Sequence, residues 1–279
     1  MIERYALLLL LVGCGGASAE ASSPASAPEA PPPAVSVLDT AQKPVEMKPE
    51  WVEAVSRAQA IGRAIYEYDA AASVATDALL AKFGDKPPVA GFLAVKDPGL
   101  VVYFFDRAGP GAAFRVVMNG DKPGPLEAID GKKPLSAAAA SARQAFESAS
   151  KVDFPRAPGP YNFVVLPGSV VSQPGWLVYF LSAPRDPGEL VVGGHVRIAV
   201  ADDGKTIREV APLSKGPMRI PPPPPGAAAA VVSNLVSDTP LETHVFLSLG
   251  SPRPLFVVTR AGLWKLERGE IAYLGPTQA

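Results

Sequence analysis

The sequence predicts an α+β fold: helix-plus-antiparallel-meander units, internally duplicated, with a third β-rich segment. Three observations carry that prediction. Residues 51–83 place Trp51, Val55, Ala58, Gly62, Ile65, Ala72, Leu79 and Phe83 on one stripe at helical spacing. Downstream, runs rich in Val, Tyr and Phe are bounded by Gly, Pro and Asp, as short strands are. The order helix then strands recurs along the chain, which favours α+β over a parallel α/β sheet.

The N-terminus comes first in the chain. Residues 6–12 are apolar and lead into Leu11-Val12-Gly13-Cys14, whose cysteine is the only one in the 279 residues. A run this short cannot span a bilayer, which takes about 20 apolar residues. The segment resembles the signal peptide and lipobox of bacterial lipoprotein precursors. The resemblance implies that residues 1–13 are removed and that Cys14 becomes the lipidated first residue. Two or three acyl chains would then hold the protein on the periplasmic side of the cell envelope, because a second chain turns marginal binding into a stable anchor. Gly15 follows the cysteine instead of Asp, which implies the outer membrane if the host is Gram-negative.

Residues 14–49 follow as the lipidated Cys and an Ala/Ser/Pro-rich tether, almost without large apolar side chains before Val35. Such a composition buries too little surface to offset its ordering entropy. As a coil it reaches roughly 30 Å, and as extended polyproline II roughly 100 Å. The remainder, about 230 residues, is enough for a real core.

Residues 50–133 read as the first unit. Its helix opens after Pro49 and stops at Gly84, and its strands are expected over 89–95, 100–106 and 113–118, with a weaker one near 126–129. The small residues Ala58, Gly62 and Ala72 permit close approach of another element. Residues 134–216 read as the second unit, with an alanine-rich helix over 136–150 capped by Ser136. Strands are expected over 161–166, 176–182, 191–200 and 206–210. The units share Gly99-Leu100-Val101-Val102-Tyr103-Phe104 with Gly175-Trp176-Leu177-Val178-Tyr179-Phe180, and Phe114-Arg115-Val116 with Val196-Arg197-Ile198. Pro134-Leu135-Ser136 matches Pro212-Leu213-Ser214, and similarity in fixed order is the signature of a repeat. A Pro-rich linker, 217–226, separates these units from 227–279. That segment is expected to start with a short helix over 227–236 and to continue as strands over 243–249, 255–259, 263–266 and 271–274.

Several patterns resemble catalytic motifs and fail on inspection. Gly204-Lys205-Thr206 has Ala199 where a phosphate-binding loop needs its first glycine, so Asp203-Gly204 reads as a hairpin turn. Ser148-Ala149-Ser150-Lys151 has the spacing of a serine nucleophile motif but lies at a helix tail without partner motifs. The two histidines, His195 and His244, both fall in expected strands. With a carboxylate such as Glu242 they reach the minimum for a catalytic zinc site, but isolated strand histidines more often make core hydrogen bonds. Neither a metal nor a cofactor is therefore expected. Asp69 lies on the small, apolar stripe of the first helix with Asp77 two turns on. Together they are a candidate acid–base pair, against the plainer reading of structural hydrogen bonding. The formal net charge of −1 without a Lys/Arg cluster argues against nucleic acid as a partner.

The second unit, with Trp176-Leu177-Val178-Tyr179-Phe180 and then Val196-Arg197-Ile198-Ala199-Val200-Ala201-Asp202-Asp203-Gly204-Lys205-Thr206-Ile207, resembles PepSY-type modules of exported bacterial proteins over about 70 residues. Such modules inhibit or localise envelope peptidases, so the resemblance implies a binding role and carries no catalytic residue across. The sequence thus favours a noncatalytic, lipid-anchored protein that binds an envelope protein or a peptide, for example at a sheet edge. Two rivals stand beside it: an envelope hydrolase whose carboxylates converge only in the fold, and a carrier of a small ligand or lipid in an apolar pocket.

Overall fold

Helix α1 (Pro49–Phe83) packs against strands of both of the first two sheets and against the C-terminal unit. The computed structural model describes residues 42–277 apart from 108–110, 223 and 225. The apolar N-terminus, Cys14 and the tether up to residue 41 lie outside the described residues. At 35 residues α1 is about 50 Å long. Pro49 suits its first turn, and Gly84, at φ 68°, closes it by donating to the carbonyl of Leu80. No helix among the described residues is long and apolar enough to cross a membrane.

The first sheet follows as an antiparallel meander of β1 (Val89–Lys96), β2 (Leu100–Asp106) and β3 (Ala112–Asn119). Two short strands, β4 (Lys122–Pro123) and β5 (Glu127–Ala128), both pair with β3. Helix α2 (Ala137–Ala149) opens the second unit, with the Ser136 hydroxyl accepting the Ala139 N–H at its start. Then come β6 (Tyr161–Pro167), β7 (Trp176–Ser182), β8 (Leu190–Val191), β9 (Val196–Val200) and β10 (Ile207–Pro212). The second sheet runs β10-β9-β7-β6, again antiparallel, while β8 pairs with β11 (Arg219–Ile220) as a separate ribbon. The molecule is therefore α+β with meander sheets.

Edge strands β1 and β6 lie side by side, with Phe92 and Phe163 stacked at 4.9 Å between ring centroids. Because strand side chains alternate, this pair of sheets has two apolar faces. One carries Val102, Phe104, Leu166 and Leu177 and is covered by Ile61, Ile65 and Leu79 of α1. The other carries Val101, Val165, Val178 and Ile198 and is covered by Ala139, Ala142 and Ala145 of α2. Helix α1 thus lies on one side of the paired sheets, and α2 covers the part of the other side formed by β1, β6, β7 and β9.

The third unit is β12 (Ala230–Ser233), α3 (Glu242–Gly250), β13 (Leu255–Thr259), β14 (Gly262–Glu267) and β15 (Glu270–Gly275). Its sheet packs on the first turns of α1, where Trp51 meets Trp264 and Tyr273 edge-on at 5.4 and 5.1 Å. Such aromatic pairs contribute about 0.5–1.5 kcal/mol each beyond area burial. The stretch expected to be tether also reaches this sheet: Val45 N–H donates to Tyr273 O at 2.9 Å, and Gln42 Nε2 to Leu274 O at 2.6 Å.

The structure also differs from the sequence expectations in residues 191–200, 227–236 and 243–249. Residues 227–236, expected to be helical, contain strand β12, which pairs parallel with β13. Residues 243–249, expected to be a strand, form α3, because a parallel pair needs a crossover and α3 supplies it. The third unit is consequently strand, helix, three strands, not helix then strands. The expected strand 191–200 is broken between β8 and β9: Gly194 takes φ 83°, and a side chain at Gly193 would collide with the Gly216 carbonyl.

Candidate functional site

The duplicated strands carry one polar pair each. On β2 and β3, Tyr103 stands directly opposite Arg115; on β7 and β9, Tyr179 stands directly opposite Arg197. Cross-strand partners in an antiparallel pair point to the same face, so each tyrosine and arginine share one side of their sheet. Twelve residues beyond each arginine is a glutamate, Glu127 or Glu209. Arg115 Nε donates to Glu127 Oε2 at 2.8 Å, and Arg197 Nη2 lies 3.5 Å from Glu209 Oε2. In both units the pair lies on the face turned away from that unit's own helix. Tyr103 packs in the α2 layer and Tyr179 in the α1 layer.

The second pair is closed by a group from outside the repeat. Glu242, on the first turn of α3, offers Oε1 to both Tyr179 Oη at 3.0 Å and Arg197 Nη1 at 2.7 Å. Its side chain is only 5% exposed. Burial, and then the Glu242 charge, push the Tyr179 hydroxyl well above its ordinary pKa. Burial, the largest single influence, would lower the Arg197 guanidinium, but Glu242, Tyr179 and Glu209 together raise it. The sequence permits this approach because Gly62 of α1 leaves room for α3: a Cβ there would lie 2.5 Å from Val245 Cβ.

The first pair stays open. Tyr103 and Arg115 line a cleft of about 320 Å³ together with Asp97, Asp130, Lys133 and Ser136. The Tyr103 hydroxyl donates to Asp97 Oδ2 at 2.8 Å, which raises its pKa through burial first and the hydrogen-bonded Asp97 second. Asp130 Oδ1 accepts the Lys132 N–H at 3.0 Å. Arg115 meets one carboxylate only among the described residues, through Nε, and the bond to Glu127 raises its pKa. Lys133 is exposed and forms no ion pair with a described residue.

The residues singled out from sequence fall elsewhere. Asp69 is half-buried on α1, and desolvation pushes its carboxyl up to about 6, whereas Asp77 is exposed. Eight residues along a helix turn the side chain by about 80°, so the two do not converge. His195 lies in the break before β9, outside any strand, where Nδ1 accepts the Ser182 N–H at 3.1 Å and Nε2 donates to Val191 O at 3.1 Å. Burial lowers it to about 4. His244 sits on α3, not on a strand, and its Nδ1 accepts the Leu241 N–H at 2.9 Å, tying down the helix start. Burial, with a smaller push from His195, lowers it to about 3. Ser148 Oγ is spent on the Gly204 carbonyl, and Asp203 holds its turn by accepting from Lys205 and Thr206. Cys14 lies outside the described residues.

Sequence reasoning missed the Tyr–Arg pairs as a site, although both lie inside the repeated segments. The available signal was an arginine flanked by β-branched and aromatic residues in each unit, with a glutamate at the same spacing behind it. No family model, curated protein or solved structure matches the chain.

Proposed function

We propose that this chain is a lipid-anchored protein on the periplasmic face of the cell envelope, held through Cys14, that binds another envelope protein or a peptide without chemical turnover. The binding half of this reading rests on one observation. The Tyr–Arg face of the second sheet is covered by a helix from elsewhere in the chain, while the equivalent face of the first sheet opens on a cleft. A surface of this construction suits docking of a foreign segment. The lipobox-like segment at Cys14 supports the anchor, and the PepSY-like stretch supports binding over turnover.

Two measurements test the two halves. Cys14→Ser should move the protein from the membrane to the soluble fraction; retention in the pellet after a salt wash would remove lipid as the anchor. A photo-crosslinking residue at Lys133, in the cleft, should trap a discrete protein adduct in cells, and one at exposed Glu53 of α1 should not. Identical adduct patterns from both positions, or none from Lys133, would defeat the partner reading.

A further inference from the structure

Resting on that binding reading, the geometry points to a carboxylate as the group that enters the first-sheet cleft: an acidic side chain of the partner, set against Arg115 as Glu242 is set against Arg197. The second sheet supplies the precedent. There, Arg197, opposite Tyr179 as Arg115 is opposite Tyr103, keeps its own-unit glutamate and takes a second carboxylate from α3. Arg115 likewise keeps Glu127, but the remainder of its guanidinium fork meets no second carboxylate among the described residues. A guanidinium matches a carboxylate in shape and can bind it through two parallel N–H groups.

The surroundings favour the same charge. Lys133 lines the cleft without an ion partner among the described residues, and α2 begins at its floor with no acidic residue in its first turn. The positive end of that helix therefore meets no carboxylate from its own first turn. Two carboxylates also line the cleft, and both are engaged: Asp97 with the Tyr103 hydroxyl, Asp130 with the Lys132 amide. With Arg115 and Lys133 opposing Asp97 and Asp130, the lining is neutral overall. Recognition then depends on direct contact with Arg115, not on long-range attraction. A cleft of about 320 Å³ has room for an acidic side chain together with part of the segment that carries it.

The test uses the complete mature chain carrying Cys14→Ser, followed by NMR at the Arg115 Nε–H and the Tyr103 amide. Four probes are titrated: blocked glutamate (N-acetyl, N-methylamide), blocked glutamine as its neutral isostere, inorganic phosphate and free glutarate. Blocked glutamate should shift both signals saturably in the millimolar range, and blocked glutamine should act at least tenfold more weakly. Arg115→Gln removes its own probe but should abolish the shift at the Tyr103 amide; because its side chain is 42% exposed, the fold should tolerate the change. Lys133→Gln, at an exposed position, should weaken it severalfold and serves as the second variant. Equal responses to glutamate and glutamine would overturn the carboxylate assignment, as would a tenfold stronger response to phosphate. If the Lys133 cross-link persists while blocked glutamate gives no response, the assignment alone falls. If free glutarate binds at micromolar concentration without any cross-link, the ligand is a small acid and the protein partner falls.

Discussion

Asp69 and the two histidines pull the stability of this protein in opposite directions as pH changes. The Asp69 carboxyl is raised from 3.8 to about 6 by burial, so the fold prefers it protonated. Its contribution is fully present below 3.8 and is lost as pH rises through about 6. His195 and His244 are lowered from 6.5 to about 4 and about 3, so the fold prefers them neutral. Theirs is present above 6.5 and is lost as pH falls toward those values. Between about pH 4 and 6 the unfolded chain binds two more protons at the histidines and one fewer at Asp69, a net of about one. Asp69→Asn should therefore stabilise the protein at pH 7.5 by about 1–2 kcal/mol, after allowance for its partial exposure. The gain should vanish by pH 3.5, and the acid-side slope of stability against pH should steepen by about one proton. Chemical denaturation across that range measures both, and a gain independent of pH would show that Asp69 is solvated in the fold.

At the scale of elements, the contact between α1 and α3 decides whether the Tyr179–Arg197 pair is closed. A methyl group at position 62 would stand 2.5 Å from Val245 Cβ and 2.6 Å from the Glu242 carbonyl. In a helix without such a neighbour, Gly→Ala stabilises by about 0.5–1 kcal/mol. Here Gly62→Ala should instead destabilise by about 1–3 kcal/mol, because α3 must back away. The displacement would draw Glu242 off Arg197, so Gly62→Ala and Glu242→Gln combined should cost less than the sum of the two. Strict additivity in thermal unfolding would mean that Glu242 holds its place independently of Gly62. This dependence also explains what the sequence could and could not reveal. The first two units were legible because Val89, Leu100 and Trp176 open uniform β-rich runs closed by Gly, Pro or Asp. Gly62 was legible as a point of close approach, though not its partner. Residues 230–233 and 242–250 were misread because Ala227–Ala230 favours helix and Thr243-His244-Val245-Phe246 favours strand locally. Their actual states are imposed by pairing with Leu255 to Val258 and by docking on α1. Glu242 reaches Arg197 across 45 positions of sequence, and only the assembled fold brings them together.

For the molecule as a whole, the folded body begins before α1. Val45 and Gln42 hydrogen-bond along β15, and Met47 packs against the Trp51–Trp264 cluster. A chain starting at Lys48 should consequently unfold several degrees below one starting at Gln42. The two lost hydrogen bonds contribute about 0.5–1.5 kcal/mol each, and each kcal/mol shifts Tm by about 2–4 °C at this size. Equal melting temperatures would show that the segment contributes nothing to the fold.

A duplicated unit presents its polar pair twice, and with nothing else attached such a chain would offer two equivalent grips. The C-terminal unit removes one of them by filling the second pair with its own Glu242. On the proposed binding reading, what is left is monovalent: one copy offers a single Tyr–Arg grip, at Tyr103 and Arg115. Through that face it would hold one partner and not bridge two.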